Sequence, residues 1–122
     1  MKFTFYNQHD NLDCGPTCLR MIAKHYGRNY SIQKLRALCF TNRGSTTLWN
    51  MADAAEKIGL RSLGVMATIE QLRGVQLPCV LHWRQNHYVI LYKIGAGSYY
   101  IADPAKGVIT LHEKEFTTKG IK

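Results

Sequence analysis

The chain has 122 residues, of which 46% are hydrophobic and 20% charged. Two separate cores would need a longer chain, so one globular domain over residues 1–122 is predicted. The longest apolar run, residues 88–92, is far shorter than the roughly 20 residues that span a bilayer, and no signal-peptide segment precedes it. The net charge of +8 comes from scattered cations. We therefore expect a soluble cytosolic domain and no nucleic-acid partner.

The first half of the chain predicts three helices and one further helical turn. Each has apolar residues at helical spacing, with a capping residue before it or a glycine after it. The predicted segments run from Cys14 to Tyr26, from Ser31 to Leu38, from Thr46 or Thr47 to Ile58, and over Ile69–Arg73.

Short runs of β-branched and aromatic residues, separated by glycine and proline, follow Pro78. The predicted strands are Cys79–Trp83, His87–Ile94, Tyr99–Asp103 and Val108–Leu111. Helices followed by an antiparallel meander predict an α+β fold, with a helical N-terminal half packed on a C-terminal antiparallel β-sheet.

Cys14 is a candidate nucleophile because it opens the first predicted helix. The positive end of the helix dipole and the free N–H groups of the first turn favour the thiolate. The alternative is a small buried apolar residue, and Cys18, Cys39 and Cys79 are predicted to be reduced core thiols of that kind.

A cysteine nucleophile needs a base, and His87 with Asp103 is the predicted pair. If Ile94 is the last paired residue of its strand, the hairpin loop holds two, three or four residues. Three residues make Asp103 the same-face diagonal neighbour of His87, whereas two or four separate them unless a bulge intervenes. Taken singly, His87 is a polar strand-end residue and Asp103 a turn former before Pro104.

Gln8 lies six residues before Cys14, in the loop that leads into its helix. A fixed side-chain amide there, with the backbone N–H of the nucleophile, would form an oxyanion hole. Taken alone, Gln8 is a solvated loop residue.

Two motifs together resemble a known family. The first is Gln8, five residues, Cys14-Gly15, then Cys18-Leu19; the second is residues 86–93, NHYVILYK, followed by residues 101–104, IADP. Over essentially the whole chain they resemble the N-terminal peptidase domain of bacteriocin-processing ABC transporters.

The resemblance implies a papain-like fold and a peptidase that cuts precursor peptides after the Gly-Gly pair ending their leader. It implies Cys14 as the nucleophile, His87 as the base, Asp103 as its orienting partner and Gln8 as the oxyanion donor, with no cofactor. The implied partners are a precursor with an amphipathic leader and the transmembrane and nucleotide-binding domains of an ABC transporter. The implied location is the cytoplasmic face of the cell membrane.

The resemblance also implies that the leader binds as a helix, with its apolar face in a groove. Trp49 is the first candidate for this groove because it lies off the apolar stripe of the third helix. Met51, at the edge of that stripe, is the second. The alternatives are packing on a neighbouring loop for Trp49 and core packing for Met51.

Three other functions stay open. A metal site would use Cys14 and Cys18 with His82 and His87, or Cys79 with His82, but neither spacing is half of a strong zinc pattern. A non-catalytic leader-binding domain of a type I secretion transporter would lack the cysteine. A different Cys/His/Asp acyltransferase would use the same residue order. The remaining histidines, predicted to be structural or solvated, are His9, His25, His82 and His112.

Overall fold

The computed structural model describes residues 3–8, 13–39, 47–60, 72, 74–83 and 87–119. Its helices are α1 (Cys14–His25), α2 (Ile32–Leu38), α3 (Leu48–Lys57) and α4 (Glu113–Lys119). Its strands are β1 (Cys79–Trp83), β2 (His87–Gly95), β3 (Ser98–Asp103) and β4 (Gly107–His112). The strands form one antiparallel sheet in the order β1-β2-β3-β4, so the predicted α+β arrangement is confirmed.

Side-chain caps begin the second and third helices. The Ser31 hydroxyl accepts a hydrogen bond from the Lys34 N–H at 3.1 Å. The Thr47 hydroxyl accepts one from the Asn50 N–H, also at 3.1 Å, so Thr47 rather than Thr46 caps α3. None of the described helices is both long and apolar enough to cross a membrane.

Apolar residues cover both faces of the sheet. Alternate residues of β2 point to opposite faces and belong to two different buried clusters. Tyr88 and Ile90 belong to the buried cluster that includes α1, α2 and α3. Val89 and Leu91 belong to a second cluster, which includes Phe116 of α4. The sheet is therefore packed between the first three helices on one side and α4 on the other.

The sequence does not predict α4, because Phe116 is the only large apolar residue in EKEFTTK and no helical period shows. Tertiary packing supplies what the local signal lacks: the buried Phe116 ring stacks on Tyr99, with centroids 4.2 Å apart. The Glu115 carboxylate accepts the His112 N–H at 3.0 Å, as in a capping box. The predicted turn Ile69–Arg73 lies outside the described residues apart from Leu72.

The β2–β3 hairpin has the register predicted for a four-residue loop after Ile94, but Gly95 also pairs with Ser98, so the loop itself holds only two residues. Ile94 pairs with Tyr99, and Ala96 and Gly97 between them have positive φ angles of 50° and 79°. Two successive positive φ values are typical of the tight turns whose twist matches that of the strands. In an unbroken ladder, this turn would place the predicted base and its aspartate on opposite faces.

A β-bulge at Tyr92 reverses that outcome. The pairing shifts by one residue between Leu91 and Lys93, so Tyr92 is the extra residue on β2. Extending the shifted register to the end of both strands makes Asp103 the same-face diagonal neighbour of His87. The facing predicted for a three-residue loop is thus produced by the two-residue turn at Ala96–Gly97 together with the bulge at Tyr92.

Candidate active site

Cys14 is the first residue of α1 and is only 5% exposed. The helix begins here because the Asp13 carbonyl accepts the Thr17 N–H at 2.9 Å. The thiol therefore lies at the positive end of the α1 dipole. Its side chain is hydrogen-bonded to His87, the first residue of β2.

His87 also contacts Asp103 at the end of β3. The distance between His87 Nε2 and Asp103 Oδ1 is 2.8 Å. With Asp103 on Nε2, the ring nitrogen left for Cys14 is Nδ1. The three side chains thus form a continuous chain of contacts from the start of α1 to the end of β3.

Asp103 has both of the roles that the sequence offered as alternatives. Its Oδ1 accepts the Ala105 N–H at 2.9 Å, and its carbonyl accepts the Lys106 N–H at 3.1 Å. These bonds close the turn between β3 and β4. Because Oδ1 also contacts His87, the turn holds the carboxylate at the position where the imidazole needs it.

These contacts favour the charged forms of both residues. The hydrogen bond to Asp103, followed by the one to Cys14, raises the pKa of His87 to about 9, although burial lowers it. Burial acts to raise the pKa of Asp103, but the hydrogen bonds from His87 and Ala105, together with the charges of His87 and Lys106, lower it below its usual 3.8. At neutral pH, His87 is an imidazolium beside a carboxylate.

Gln8 lies at the same end of the sheet as this pair. Its backbone N–H donates to the Pro104 carbonyl at 2.9 Å, one residue beyond Asp103. The residue is partly buried, and its Oε1 atom is shielded from solvent. The chain is therefore fixed at Gln8 before it enters α1.

Aromatic contacts hold the rest of this N-terminal segment, residues 3–8. The Phe3 ring stacks on Tyr92, the bulge residue, with centroids 4.9 Å apart. The Arg20 guanidinium of α1 lies 4.1 Å from the centroid of the Tyr6 ring. The segment is thus anchored on both the sheet and α1.

The other three cysteines have the buried or partly buried environments expected of core thiols. Cys18 and Cys39 are buried, Cys79 is partly buried, and the Cys18 thiol donates to the Tyr88 carbonyl at 3.4 Å. Burial raises the pKa of Cys39 to about 12 and of Cys79 to about 11, and it raises the pKa of Cys18 well above the usual 9.0. All three stay protonated at neutral pH.

Within the described ranges, no three His, Cys, Asp or Glu side chains are grouped so that they could hold a metal ion. His82 is exposed and stacks on Tyr88, with centroids 4.7 Å apart. His25 meets Tyr26 edge to face at 5.0 Å, and His112 is exposed. His9 lies outside the described residues.

The two groove candidates lie in different environments. Trp49 on α3 is 82% exposed. Met51 is 4% exposed and belongs to the cluster beneath α1. Met51 therefore packs in the core, which was its alternative interpretation, and Trp49 remains as the candidate on the surface.

The sequence analysis does not predict a partly buried ion pair beside Cys14. Asp13 is 3% exposed, and both of its carboxylate oxygens contact Arg36 of α2, with Nε to Oδ1 at 2.8 Å. An aspartate before a helix is ordinarily interpreted as its cap. Nothing in the spacing of 23 residues indicates that a partner on another helix takes the carboxylate instead.

A helix-borne cysteine in contact with a histidine on an antiparallel sheet is the arrangement of papain-like cysteine peptidases. The chain belongs to the Peptidase C39 family, whose model matches residues 2–119. The predicted family resemblance is thereby confirmed.

Two curated relatives show the extent of the similarity. The chain is 37% identical to the lactococcin-G-processing and transport ATP-binding protein LagD of Lactococcus lactis subsp. lactis, over 96% of this chain and 17% of the relative. It is 30% identical to the colicin V secretion/processing ATP-binding protein CvaB of Escherichia coli, over 91% of this chain and 16% of the relative. The chain thus spans about a sixth of the length of these relatives.

Two crystal structures share the fold. A double glycine motif protease from an AMS/PCAT transporter, solved with its leader peptide, superposes with a TM-score of 0.90 at 30% identity, over 98% of this chain and 86% of that one. The peptidase domain of Streptococcus ComA gives 0.88 at 31% identity, over 98% and 93%. The predicted papain-like fold is confirmed.

Proposed function

We propose that this chain is a cysteine endopeptidase that removes the leader from precursor peptides by cutting after a Gly-Gly pair. The observation that carries the proposal is the chain of contacts from Cys14 through His87 to Asp103. The fold adds support, because a double glycine motif protease solved with its leader peptide shares it.

In the proposed reaction, the Cys14 thiolate attacks the carbonyl carbon of the second glycine. A C–S bond forms and the carbonyl oxygen becomes an oxyanion. As this intermediate collapses, the C–N bond breaks and the His87 imidazolium gives its proton to the leaving amine. The pKa of about 9 supports this role, since the ring carries that proton at neutral pH.

Water then resolves the thioester. His87, now neutral, takes a proton from the water that attacks the thioester carbon, and the C–S bond breaks to restore the thiolate. The leader leaves with a free carboxyl group on its last glycine. Asp103 orients the imidazole and stabilises its charged form throughout, without taking the proton itself.

Gln8 is proposed as the oxyanion donor, together with the backbone N–H of Cys14. An N–H in the first turn of a helix points out of the helix N-terminus, which supports this role for the Cys14 N–H. The hydrogen bond from the Gln8 backbone to Pro104 supports a fixed amide position, because preorganised donors stabilise the charge that develops in the transition state.

Gly-Gly offers no side chain to bind, so we infer that specificity at the cut comes from a narrow channel that excludes larger residues. Affinity then comes from the leader helix, docked by its apolar face. The exposure of Trp49 supports a place for it in this groove, since docking would remove a large ring from water. The net charge of +8 would attract acidic leaders.

The functions in the names of the longer relatives support a proposal for the protein in which this domain acts. LagD and CvaB are processing and transport ATP-binding proteins, of which this chain matches about a sixth. We propose that residues 1–122 act as one peptidase domain beside the transmembrane and nucleotide-binding domains of an ABC transporter. Leader removal would then be coupled to export at the cytoplasmic face of the membrane, with no cofactor in the chemistry.

The test is incubation with a panel of synthetic precursors that carry Gly-Gly leaders, with the products identified by mass spectrometry. Matched precursors with valine in place of the second glycine are the control. The expected result is a leader ending in Gly-Gly, with the control precursors uncut. Binding of every leader without cleavage would favour the non-catalytic alternative, and transfer of the leader to an added amine would favour an acyltransferase.

A further inference from the structure

The Asp13 side chain does not act as an N-cap for α1. Asp13 occupies the N-cap position, with φ −95° and ψ 7°, yet its side chain accepts no cap hydrogen bond from the helix. The carboxylate is instead held by the guanidinium fork of Arg36, through Nε and Nη2. The pair therefore connects the start of α1 to α2.

Stability alone does not explain this arrangement. The Arg36 side chain is 39% exposed while that of Asp13 is buried, and an ion pair of this kind is weak evidence for stability. What distinguishes the pair is its position: the buried carboxylate belongs to the residue next to Cys14. An uncompensated negative charge there would oppose formation of a thiolate.

We propose that Asp13 and Arg36 are positioning residues for Cys14, which set both the geometry and the local charge of the nucleophile. Asp13 fixes the first turn of α1 against α2, and Arg36 cancels the negative charge that this anchor brings to the site. The inference rests on the proposed function, in which Cys14 is the nucleophile.

Other groups also act on Cys14, and they come from each element packed around it. His87 and Tyr88 of β2 and Cys18 of α1 interact with it directly, and Asp103 of β3 and Cys39 after α2 act on these neighbours. The charged residues of α3 are exposed: Asp53, Glu56 and Lys57. All of these groups stay in place when the Asp13–Arg36 pair is changed, so their effect is common to every variant.

The experiment measures the rate at which iodoacetamide alkylates Cys14 as a function of pH, by mass spectrometry of the peptide that contains it. The rate follows the thiolate fraction. Arg36→Gln removes the cation that faces the buried Asp13 carboxylate and should move the midpoint of the profile up by about one pH unit or more. Asp13→Asn removes the negative charge next to Cys14 and keeps the Arg36 cation, so it should move the midpoint down.

Two further variants separate charge from geometry. The double variant Asp13→Asn/Arg36→Gln removes both charges and should return the midpoint to near that of the wild type. Arg36→Lys keeps the charge but loses the fork, so it should keep the midpoint while slowing cleavage of a Gly-Gly precursor. Lys34→Gln is the matched control, because it removes an exposed cation from the same helix and should change neither quantity.

Shifts of opposite sign from the two single variants support the proposal, since general destabilisation would not produce them. Unchanged midpoints in both, or shifts of the same sign, would overturn it. If Arg36→Gln does not fold, as judged by circular dichroism, Asp13→Asn and the double variant give the same decision. The alkylation profile needs no substrate, so failure of the proposed peptidase activity would leave this result interpretable.

Discussion

One oxygen of Asp103 serves both the fold and the proposed chemistry. Oδ1 accepts the Ala105 N–H that shapes the turn after β3, and it also contacts His87 Nε2 at 2.8 Å. The same turn presents the Pro104 carbonyl to the backbone of Gln8. A single turn thus positions two of the proposed site residues, His87 and Gln8. A substitution at Asp103 should therefore change the pKa of His87.

Asp103→Asn should lower the pKa of His87 from about 9, because the hydrogen bond to Asp103 is the largest cause of its raised value. The imidazolium is the acid that protonates the leaving amine, so kcat/KM is lost as pH rises through this pKa. The upper limb of the pH profile should lie near pH 9 in the wild type and move down by roughly one pH unit or more in the variant.

Lys106→Gln in the same turn is the control for this measurement, because it removes an exposed charge that acts on Asp103 but leaves the carboxylate and its contact with His87 in place. Its upper limb should stay close to that of the wild type. An unmoved limb in Asp103→Asn would mean that Asp103 does not set the protonation of His87.

Gln8→Ala should lower kcat by roughly 10²–10³, the usual loss for one oxyanion donor. The loss should appear equally in kcat and kcat/KM, because the contact forms only in the transition state. Steady-state kinetics with a Gly-Gly precursor gives both values, and Asn7→Ala, an exposed amide beside it, is the control. A rise in KM with kcat unchanged would move Gln8 from catalysis to substrate binding.

Among the elements, α4 combines a weak local helix signal with one large buried apolar side chain, that of Phe116. Phe116 is fully buried and stacks on Tyr99 at 4.2 Å, on the sheet face away from α1. Local signals for this helix are weak, so its contribution comes from packing.

Phe116→Ala should therefore lower the free energy of unfolding by about 3–5 kcal/mol, as large buried aromatics do. Phe116→Leu keeps most of the apolar volume and should cost clearly less. Urea unfolding followed by circular dichroism measures both. A loss below about 1 kcal/mol in the alanine variant would show that α4 contributes little to the core.

Trp49 provides a test of the proposed leader groove on α3. Because its ring is 82% exposed, Trp49→Ala should leave stability nearly unchanged while raising KM for a precursor whose leader is an amphipathic helix. The comparison is a precursor with one apolar-face residue of the leader replaced by an uncharged polar one. If that replacement raises KM and Trp49→Ala does not, the groove lies elsewhere.

Across the molecule, the features that local sequence predicts are those determined by local physics. Hydroxyl caps at Ser31 and Thr47 and the apolar stripes behind them fixed α2 and α3 without reference to the rest of the chain. The strands were predicted to within one residue at each end, because runs of β-branched and aromatic residues end at glycine and proline.

The features that local sequence does not predict depend on contacts between distant segments. The contact between His87 and Asp103 needs both the turn at Ala96–Gly97 and the bulge at Tyr92. A one-residue error in predicting either would place the two side chains on opposite faces of the sheet. The pairing of Asp13 with Arg36 requires two helices to be packed first. For the predicted site, the spacing of residues left the facing of His87 and Asp103 undecided. The resemblance to the family motifs selected these residues as the base and its partner.

The role of Cys14 as the nucleophile of a Gly-Gly peptidase is tested by comparing Cys14→Ala with Cys18→Ala on one precursor. Cleavage is followed by mass spectrometry and leader binding by calorimetry. We expect Cys14→Ala to bind the leader and yield no product. Cys18→Ala, which removes a buried thiol one helical turn away, should lose some stability but still cut after Gly-Gly. Near-normal turnover by Cys14→Ala would contradict the assignment of Cys14 as the nucleophile.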